Sequence, residues 1–176
     1  IHLPSGSIDV NIMTKLDKEN YNEEGKLPVE YNDAHAALRG FANSSVNSSI
    51  VLSAGMNPRL YSYLEEFPGF YPDSKGLFSK KIILKVSDYR SALIQGKYLA
   101  KKGLWVSEYR IESGLNCGGH AFATQGHLMG PILEDFKQNR AMLVEESFQL
   151  YAQALKNKNK PCPASPPEMR VTAQGG

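Results

Sequence analysis

The chain has 176 residues, of which 41% are hydrophobic and 22% are charged, a balance typical of one globular domain with a core of its own. Its net charge is only +2, with the basic residues spread along the chain, so nucleic-acid binding is not expected, and no apolar run approaches the roughly 20 residues of a membrane-spanning helix. The two cysteines, Cys117 and Cys162, make no disulfide framework, so a cytoplasmic location is expected. The composition leaves open whether the protein forms a homo-oligomer.

Residues 7–13 alternate between apolar and polar side chains, which predicts a strand, and a polar loop through Gly25 follows. Apolar residues then recur at helical spacing after Asn32 and Asp33, either of which suits the N-cap of a helix. The side chains expected to face inward from this helix are Ala34, Ala37, Leu38 and Phe41. His35 is interpreted as a surface or helix-face residue without a role.

Residues 49–53 predict the second strand. The dipeptide Asn57-Pro58 then supplies an N-cap with proline at the first helical position. The side chains expected to face inward from this second helix are Leu60, Tyr63, Leu64 and Phe67. Residues 68–79 contain two prolines, two glycines and three aromatic residues, so they are predicted to be a loop.

Residues 81–86 form a nearly continuous apolar run, as expected for a strand that is covered on both faces. Ser87 or Asp88 then caps a third helix, which Gly103 ends at the C′ position. The inward side of this helix is predicted to consist of Tyr89, Ala92, Leu93, Gly96, Leu99 and Ala100. Residues 104–111 predict the fourth strand.

The last third of the chain begins with two stretches of helical periodicity, residues 129–136 and residues 142–155, which predict two helices. Residues 161–167 are rich in proline and predict an extended connector. Residues 169–176 predict a fifth strand that runs into a glycine turn.

Strands that alternate with helices predict successive βαβ units and therefore an α/β fold with a parallel sheet. A doubly wound sheet and a (β/α)8 TIM barrel both fit this pattern. Polar residues and glycines directly after the strands favour the barrel, which places its sites there. No glycine fingerprint follows the first strand, where a dinucleotide-binding fold needs it. Since a barrel typically has eight strands in about 250 residues, residues 1–176 are expected to form one partial barrel domain of about five βα units, truncated at both ends.

The densest group of reactive residues follows the fourth strand, where residues 113–120 read Ser-Gly-Leu-Asn-Cys-Gly-Gly-His. Gly114, Gly118 and Gly119 allow positive φ angles and a close approach of the backbone to a flat ligand. A neutral imidazole near pH 7 suits removal of an acidic proton, so His120 is predicted to act as a general base. The alternative is a histidine that is hydrogen-bonded into the turn for structural reasons.

Cys117 and His120 also form a Cys-x-x-His pair. The chain offers no second pair of ligands at a suitable spacing, because Cys162 lies in the proline-rich connector, so no metal site is predicted. Cys117 is a candidate nucleophile beside His120, and a buried, inert thiol is the alternative.

The same block resembles the signature of the nitronate monooxygenase family, formerly called 2-nitropropane dioxygenases, which also includes flavin-type enoyl-acyl-carrier-protein reductases. The family pattern is Gln or Glu, Gly, any residue, Glu, Ala or Ser, Gly, Gly, His, and it follows the sixth strand of an FMN-binding TIM barrel. Gly114, Gly118, Gly119 and His120 match this pattern in register. The resemblance implies that the three glycines contact the cofactor.

Three positions of the block differ from the family pattern. Ser113 replaces the Gln or Glu, Asn116 replaces the Glu, and Cys117 replaces the small residue. The resemblance implies that Ser113 lies at the cofactor and that Asn116 and Cys117 lie at the substrate.

The flanking segments match the family in the same order. The stretches similar to its third, fourth, fifth and seventh strands are residues 9–13, 49–55, 82–87 and 172–176. The resemblance implies that Asn11 hydrogen-bonds an edge of the flavin ring and that Lys85 lies near the flavin ring or its phosphate. It also implies that Gly175 and Gly176 bind the phosphate. From the residues alone, a polar strand-end cap, a solvated lysine and an ordinary glycine turn are the alternatives.

The chain is therefore expected to be an FMN-dependent oxidoreductase similar to nitronate monooxygenase. It would oxidise a small nitronate-like or carbon-acid substrate, with His120 as the general base and FMN as the electron acceptor. A flavin-type enoyl-thioester reductase that uses NAD(P)H is the alternative among enzymes. A non-catalytic barrel that binds flavin or phosphate is the alternative from another class.

Overall fold

The computed structural model describes residues 8–12, 17–112 and 129–174. The strands are β1 (Val10–Ile12), β2 (Tyr21–Asn22), β3 (Gly25–Lys26), β4 (Ser48–Leu52), β5 (Lys80–Val86), β6 (Val106–Glu112) and β7 (Arg170–Gln174). The α-helices are α1 (Asp33–Asn43), α2 (Pro58–Tyr63), α3 (Tyr89–Ala100) and α4 (Met129–Asn157), and short 3-10 helices cover Val29–Tyr31, Leu64–Glu66 and Pro68–Phe70.

Five of these strands form one sheet in the order β1-β4-β5-β6-β7, and every neighbouring pair is parallel. The α/β class and the parallel sheet are therefore confirmed. The spatial order of the five strands repeats their order along the chain. A doubly wound sheet reverses its strand order at a switch point, and the described strands contain no such reversal.

The helices cover one face of the sheet and form a single core with it. Alternate residues of the central strands, such as Ile50, Leu52, Ile82 and Leu84, are buried in the same cluster as Leu38 of α1, Leu60 of α2, Leu99 of α3 and Leu143 of α4. Right-handed crossovers between strands that follow one another in space place all their helices on the same side. The opposite face of the sheet is therefore not covered by these helices.

Helix α3 and strand β6 meet at a glycine, because the tip of the Tyr109 side chain lies directly over Gly96. A Cβ atom on Gly96 would lie 2.0 Å from the hydroxyl oxygen and 3.1 Å from Cζ of Tyr109, a fully buried side chain of β6. A side chain on Gly96 does not fit while Tyr109 keeps this position. Gly96 thus sets the distance between α3 and the strand that leads into residues 113–120.

The sequence signals for helix ends are confirmed where they depend on neighbouring residues. The Asn57 side chain accepts a hydrogen bond from the Leu60 N–H at 3.1 Å, with proline at the first position of α2. Asp88 accepts one from the Ser91 N–H at 2.6 Å at the start of α3. Gly103, three residues after the end of α3, adopts a φ of 73°, and its N–H donates to the Ala100 carbonyl at 2.8 Å.

Helix α1 begins as predicted but is capped differently. Asn32 occupies the N-cap position, yet its side chain makes no capping hydrogen bond. Asp17 supplies the acceptor instead, because its Oδ1 accepts a hydrogen bond from the Ala34 N–H at 2.7 Å. Ala37, expected inside, is exposed, while His35, expected on a helix face or at the surface, is buried. The buried face of α1 is thus turned toward Asp17.

Residues 129–136 and 142–155 belong to one continuous helix, so the prediction of two helices is wrong. The intervening residues 137–141 include no glycine or proline, and nothing in them stops the helix. Helix α4 has 29 residues and is therefore about 43 Å long. Its buried residues include Phe136, Leu143, Ser147, Tyr151 and Leu155.

Two predicted loops contain short regular elements. The loop before α1 includes the antiparallel hairpin of β2 and β3, in which Gly25 has a φ of 125°. The loop of residues 68–79 begins with the 3-10 helix Pro68–Phe70. Among the residues that the structure describes, no helix is both long enough and apolar enough to cross a membrane.

Candidate functional site

The face of the sheet opposite the helices carries charged side chains. Along β6, Tyr109 and Ile111 point into the helix-covered core, so Glu108, Arg110 and Glu112 point to the opposite face, since side chains alternate along a strand. The strand register places Lys85 of β5 and Thr172 of β7 beside Arg110. A polar row therefore crosses the sheet near the carboxyl ends of its strands.

This polar face is concave. Nη2 of Arg110 lies 3.6 Å from Oδ2 of Asp9, although Asp9 directly precedes β1, and β4 and β5 lie between β1 and β6. Three strand spacings in a flat sheet amount to about 14 Å. Because side chains stand roughly perpendicular to a sheet, this contact indicates that the sheet curls toward its polar side.

A network of charges ties the strands together inside the concavity. The guanidinium of Arg110 donates from Nε and Nη2 to Oε1 of Glu108, both at 2.8 Å. The hydroxyl of Thr172 donates to the same oxygen at 2.7 Å. Oδ1 of Asp9 is buried and has no hydrogen-bond partner in the described part of the chain. The network joins β6 to β7 and to the segment before β1.

The second ion pair of the concave face lies at the carboxyl ends of β5 and β6. Nζ of Lys85 is 2.8 Å from Oε2 of Glu112, and the two side chains are only 5% and 12% exposed. The alternative of a solvated strand-end lysine is therefore wrong. Glu112 is the residue directly before Ser113, so one partner of the pair adjoins the predicted motif.

Asn11 also faces the concavity, as the register of β1 with β4 shows. It lies beside Val51, and Val51 lies beside Ile83, on the face opposite the core residues Ile12 and Leu52. The Asn11 side chain is exposed, and no hydrogen bond joins it to another described residue. Its carboxamide is thus available to a ligand in the concavity.

The remaining predicted site residues are Ser113, Gly114, Asn116, Cys117, Gly118, Gly119, His120, Gly175 and Gly176, which lie outside the described residues. Their roles stay predictions. Glu112 is the last described residue before residues 113–120, and Gln174 is the last before Gly175 and Gly176. These two residues are paired in register on adjacent strands. The chain therefore enters both predicted segments from neighbouring strand ends at the same edge of the sheet.

The charged residues Glu108 and Arg110 of β6 were missed in the sequence, although a signal for them exists. The run Glu-Tyr-Arg-Ile-Glu at residues 108–112 alternates strictly between charged and apolar side chains. In a sheet with parallel strands, covered on both faces, such a strand is normally apolar throughout. The alternation predicts that one face of β6 meets a polar environment. It does not predict which residues become partners.

Comparison of the chain with models of known protein families, with curated proteins and with solved structures gives no match. The resemblance carried by residues 113–120 therefore stays a prediction, and the function is argued from the site itself.

Proposed function

We propose that the protein is an FMN-dependent oxidoreductase of the nitronate monooxygenase type and that its sheet belongs to a (β/α)8 barrel. Parallel strands in chain order, described helices that all cover the same face and a concave opposite face are the features of a barrel wall. A barrel has its active site at the carboxyl ends of its strands. The polar residues Lys85 and Glu112 lie at those ends.

The buried ion pair of Lys85 and Glu112 is the observation that carries this proposal. A buried ion pair is often no more stabilising than well-packed apolar residues of the same volume, because both charges lose their hydration. Its presence at the carboxyl ends of two neighbouring parallel strands is better explained by chemistry at that place. Glu112 also connects the pair directly to residues 113–120.

The described residues fit FMN in their chemistry. Lys85 supplies N–H donors, and Asn11 supplies a carboxamide with both a donor and an acceptor, whose side chain has no hydrogen bond to another described residue. These are the groups that the carbonyl oxygens and the N–H of a flavin ring edge require. The backbone N–H groups of the glycine segments would hold the phosphate. When bound, FMN supplies the electron-accepting chemistry.

The chain's own residues provide the proton transfer and the positioning. His120 takes the acidic proton from the carbon next to the activating group of the substrate. Glu112 holds the ammonium of Lys85 in one place, so the remaining N–H donors of that ammonium have a fixed position at the strand ends. The concave face limits access of water to that point.

Replacement of His120 tests this proposal, with His127→Asn as a matched control on a histidine to which no role is assigned. The proteins are loaded with FMN, and the rate of flavin reduction is followed without oxygen. His120→Asn should keep the flavin spectrum while the reaction with neutral nitroethane slows by about 10²–10⁴-fold, the usual contribution of a general base. Ethyl nitronate is already ionised, so its oxidation should slow far less.

Other results would change the assignment. A full-length wild-type protein that takes up no FMN would overturn the flavin function altogether. Equal losses with nitroethane and ethyl nitronate would assign His120 to substrate orientation instead of proton removal. Oxidation of NAD(P)H with an enoyl thioester, and none with nitronates, would identify the reductase alternative.

A further inference from the structure

A cleft of about 590 Å³ opens on the helix side of the molecule, away from the concave face of the sheet. It lies between the start of α1, helix α2 and the end of α3, and its volume is within the roughly 300–1,000 Å³ of small-molecule sites. Four of its lining residues, Arg59, Ser62, Tyr63 and Glu66, follow the spacing i, i+3, i+4, i+7. They therefore share one side of α2 and its extension.

His35 lines this cleft and is only 2% exposed. Its Nδ1 is hydrogen-bonded to Oδ2 of Asp17. The other carboxylate oxygen of Asp17 accepts from the Ala34 N–H at 2.7 Å. Both oxygens of Asp17 are thus used at the start of α1, and they hold the imidazole in one orientation.

The second ring nitrogen of His35 is left for the cleft. A carboxylate can only accept, so Nδ1 carries the hydrogen, and Nε2 of the neutral ring is an acceptor. Nε2 makes no hydrogen bond to a described residue and is not sealed from solvent. Capping of α1 needs only the carboxylate of Asp17. This capping role does not explain why an oriented imidazole faces the cleft.

An aromatic wall stands beside this nitrogen. The ring of Tyr63 lies 5.0 Å from the His35 ring, and Phe67 packs edge-on against Tyr63 at 5.0 Å. The side chain of Arg39 donates to the Tyr63 hydroxyl at 3.4 Å. Tyr63 is thus held on three sides, and Tyr98 lines the cleft as well.

The polar groups of the cleft include acceptors and a donor. The carboxylates of Glu30 and Glu66 and Nε2 of His35 accept hydrogen bonds, while the guanidinium of Arg59 donates them. No group of three or more His, Cys, Asp or Glu side chains in residues 8–12, 17–112 and 129–174 is arranged to hold a metal ion. The ligand best matched to acceptors, a donor and an aromatic wall carries several hydroxyl groups on an apolar frame.

We propose that this cleft binds a small polyhydroxylated molecule, a sugar or a polyol, independently of the flavin function. One hydroxyl group donates to Nε2 of His35 and another donates to a carboxylate of the cleft. Arg59 donates to a ligand oxygen, and a C–H face of the ligand packs on Tyr63. His35 and Asp17 together form an oriented acceptor that is incomplete without such a ligand.

An NMR titration tests this assignment on the wild-type protein. Methyl β-glucopyranoside, methyl β-galactopyranoside and myo-inositol are each added up to about 100 mM, a range that detects millimolar affinity, while the imidazole signals of His35 are followed. At least one of the three should give a saturable shift. Arg59→Ala removes a charged hydrogen bond to the ligand, and Tyr63→Leu removes the aromatic contact. Each variant should bind that compound about tenfold more weakly than wild type. Arg90→Ala removes an exposed arginine of α3 outside the cleft and should change nothing.

Three results would overturn the proposal. The first is the absence of a saturable shift with all three compounds. The second is equal affinity in wild type, Arg59→Ala and Tyr63→Leu, which would place binding elsewhere. The third is an equal response to benzyl alcohol, which has the apolar frame with a single hydroxyl. Because Arg59 is exposed, Arg59→Ala is expected to fold. This variant therefore still tests the proposal if Tyr63→Leu fails to fold.

Discussion

The contact between α3 and β6 predicts that Gly96 cannot be replaced even by alanine without loss of stability. In most helices this substitution stabilises the protein, because alanine is a better helix former by about 0.8–1.0 kcal/mol. At Gly96 the new methyl group would lie 2.0 Å from the hydroxyl oxygen of Tyr109. Either the helix or the tyrosine must move.

The expected loss follows from these opposing effects. Overpacking of a filled core typically costs about 1–3 kcal/mol, and displacement of a buried hydroxyl adds about 1–3 kcal/mol if it loses its interactions. After subtraction of the gain in helix propensity, Gly96→Ala should lower the free energy of unfolding by about 1–5 kcal/mol. For a chain of this size, each kcal/mol of this loss lowers Tm by about 2–4 °C.

Urea unfolding followed by far-ultraviolet circular dichroism measures this loss, and Gly40→Ala is the matched control. Gly40 lies within helix α1, and a Cβ atom there would meet nothing within 4 Å. Gly40→Ala should therefore raise the free energy of unfolding by about 0.5–1 kcal/mol. The two identical substitutions should thus have opposite signs.

A second variant identifies the clashing atom. Tyr109→Phe removes the hydroxyl oxygen and leaves Cζ as the nearest atom at 3.1 Å. In this background Gly96→Ala should cost at least about 1 kcal/mol less than in wild type, a coupling typical of residues in contact. If Gly96→Ala were as stabilising as Gly40→Ala, or if the two changes at Gly96 and Tyr109 were additive, the packing argument would be refuted.

Three further predictions concern stability. Lys80 is buried, and its ammonium donates to main-chain oxygens beyond the end of α1. Lys80→Met should therefore lower the free energy of unfolding in urea by about 1–3 kcal/mol. An unchanged free energy of unfolding would show that these hydrogen bonds are dispensable. Asp88→Ala removes the N-cap of α3 and should cost about 1 kcal/mol, whereas Asp88→Asn should cost much less. Partial burial acts to raise the pKa of Glu65, but Lys102 and Lys158, at 2.6 Å and 2.8 Å, together lower it below its ordinary 4.5. The folded state then holds Glu65 ionised more strongly than the unfolded state does, and this stabilisation is lost as the pH falls below about 4.5. Glu65→Gln should therefore lose less stability than wild type between pH 7 and pH 3, and parallel losses would contradict the ion-pair argument.

The sequence alone determined the features that depend on residues a few positions apart. The start of α2 at Asn57-Pro58, the cap of α3 at Asp88 and the stop at Gly103 follow from local hydrogen bonding and allowed φ angles, so spacing was sufficient to predict them. Alternation of strands and helices likewise determined the parallel sheet. The same reasoning failed between residues 136 and 142, where a break was predicted although no residue there disfavours a helix.

Tertiary structure alone decided which polar residues became partners. Lys85 lies in a strand that the sequence predicts to be covered on both faces, but no sequence signal identifies its partner. The register of β5 and β6 places Arg110 beside Lys85, and Glu112, two residues further along β6, reaches its ammonium at 2.8 Å. His35 is oriented by Asp17, 18 residues earlier in the chain, and Arg110 reaches Asp9 because the sheet curls. The energy of a charged group depends on the distance to its partner and on its exposure to water. Both quantities are set by the packing of segments that are remote in sequence, and no local pattern contains them.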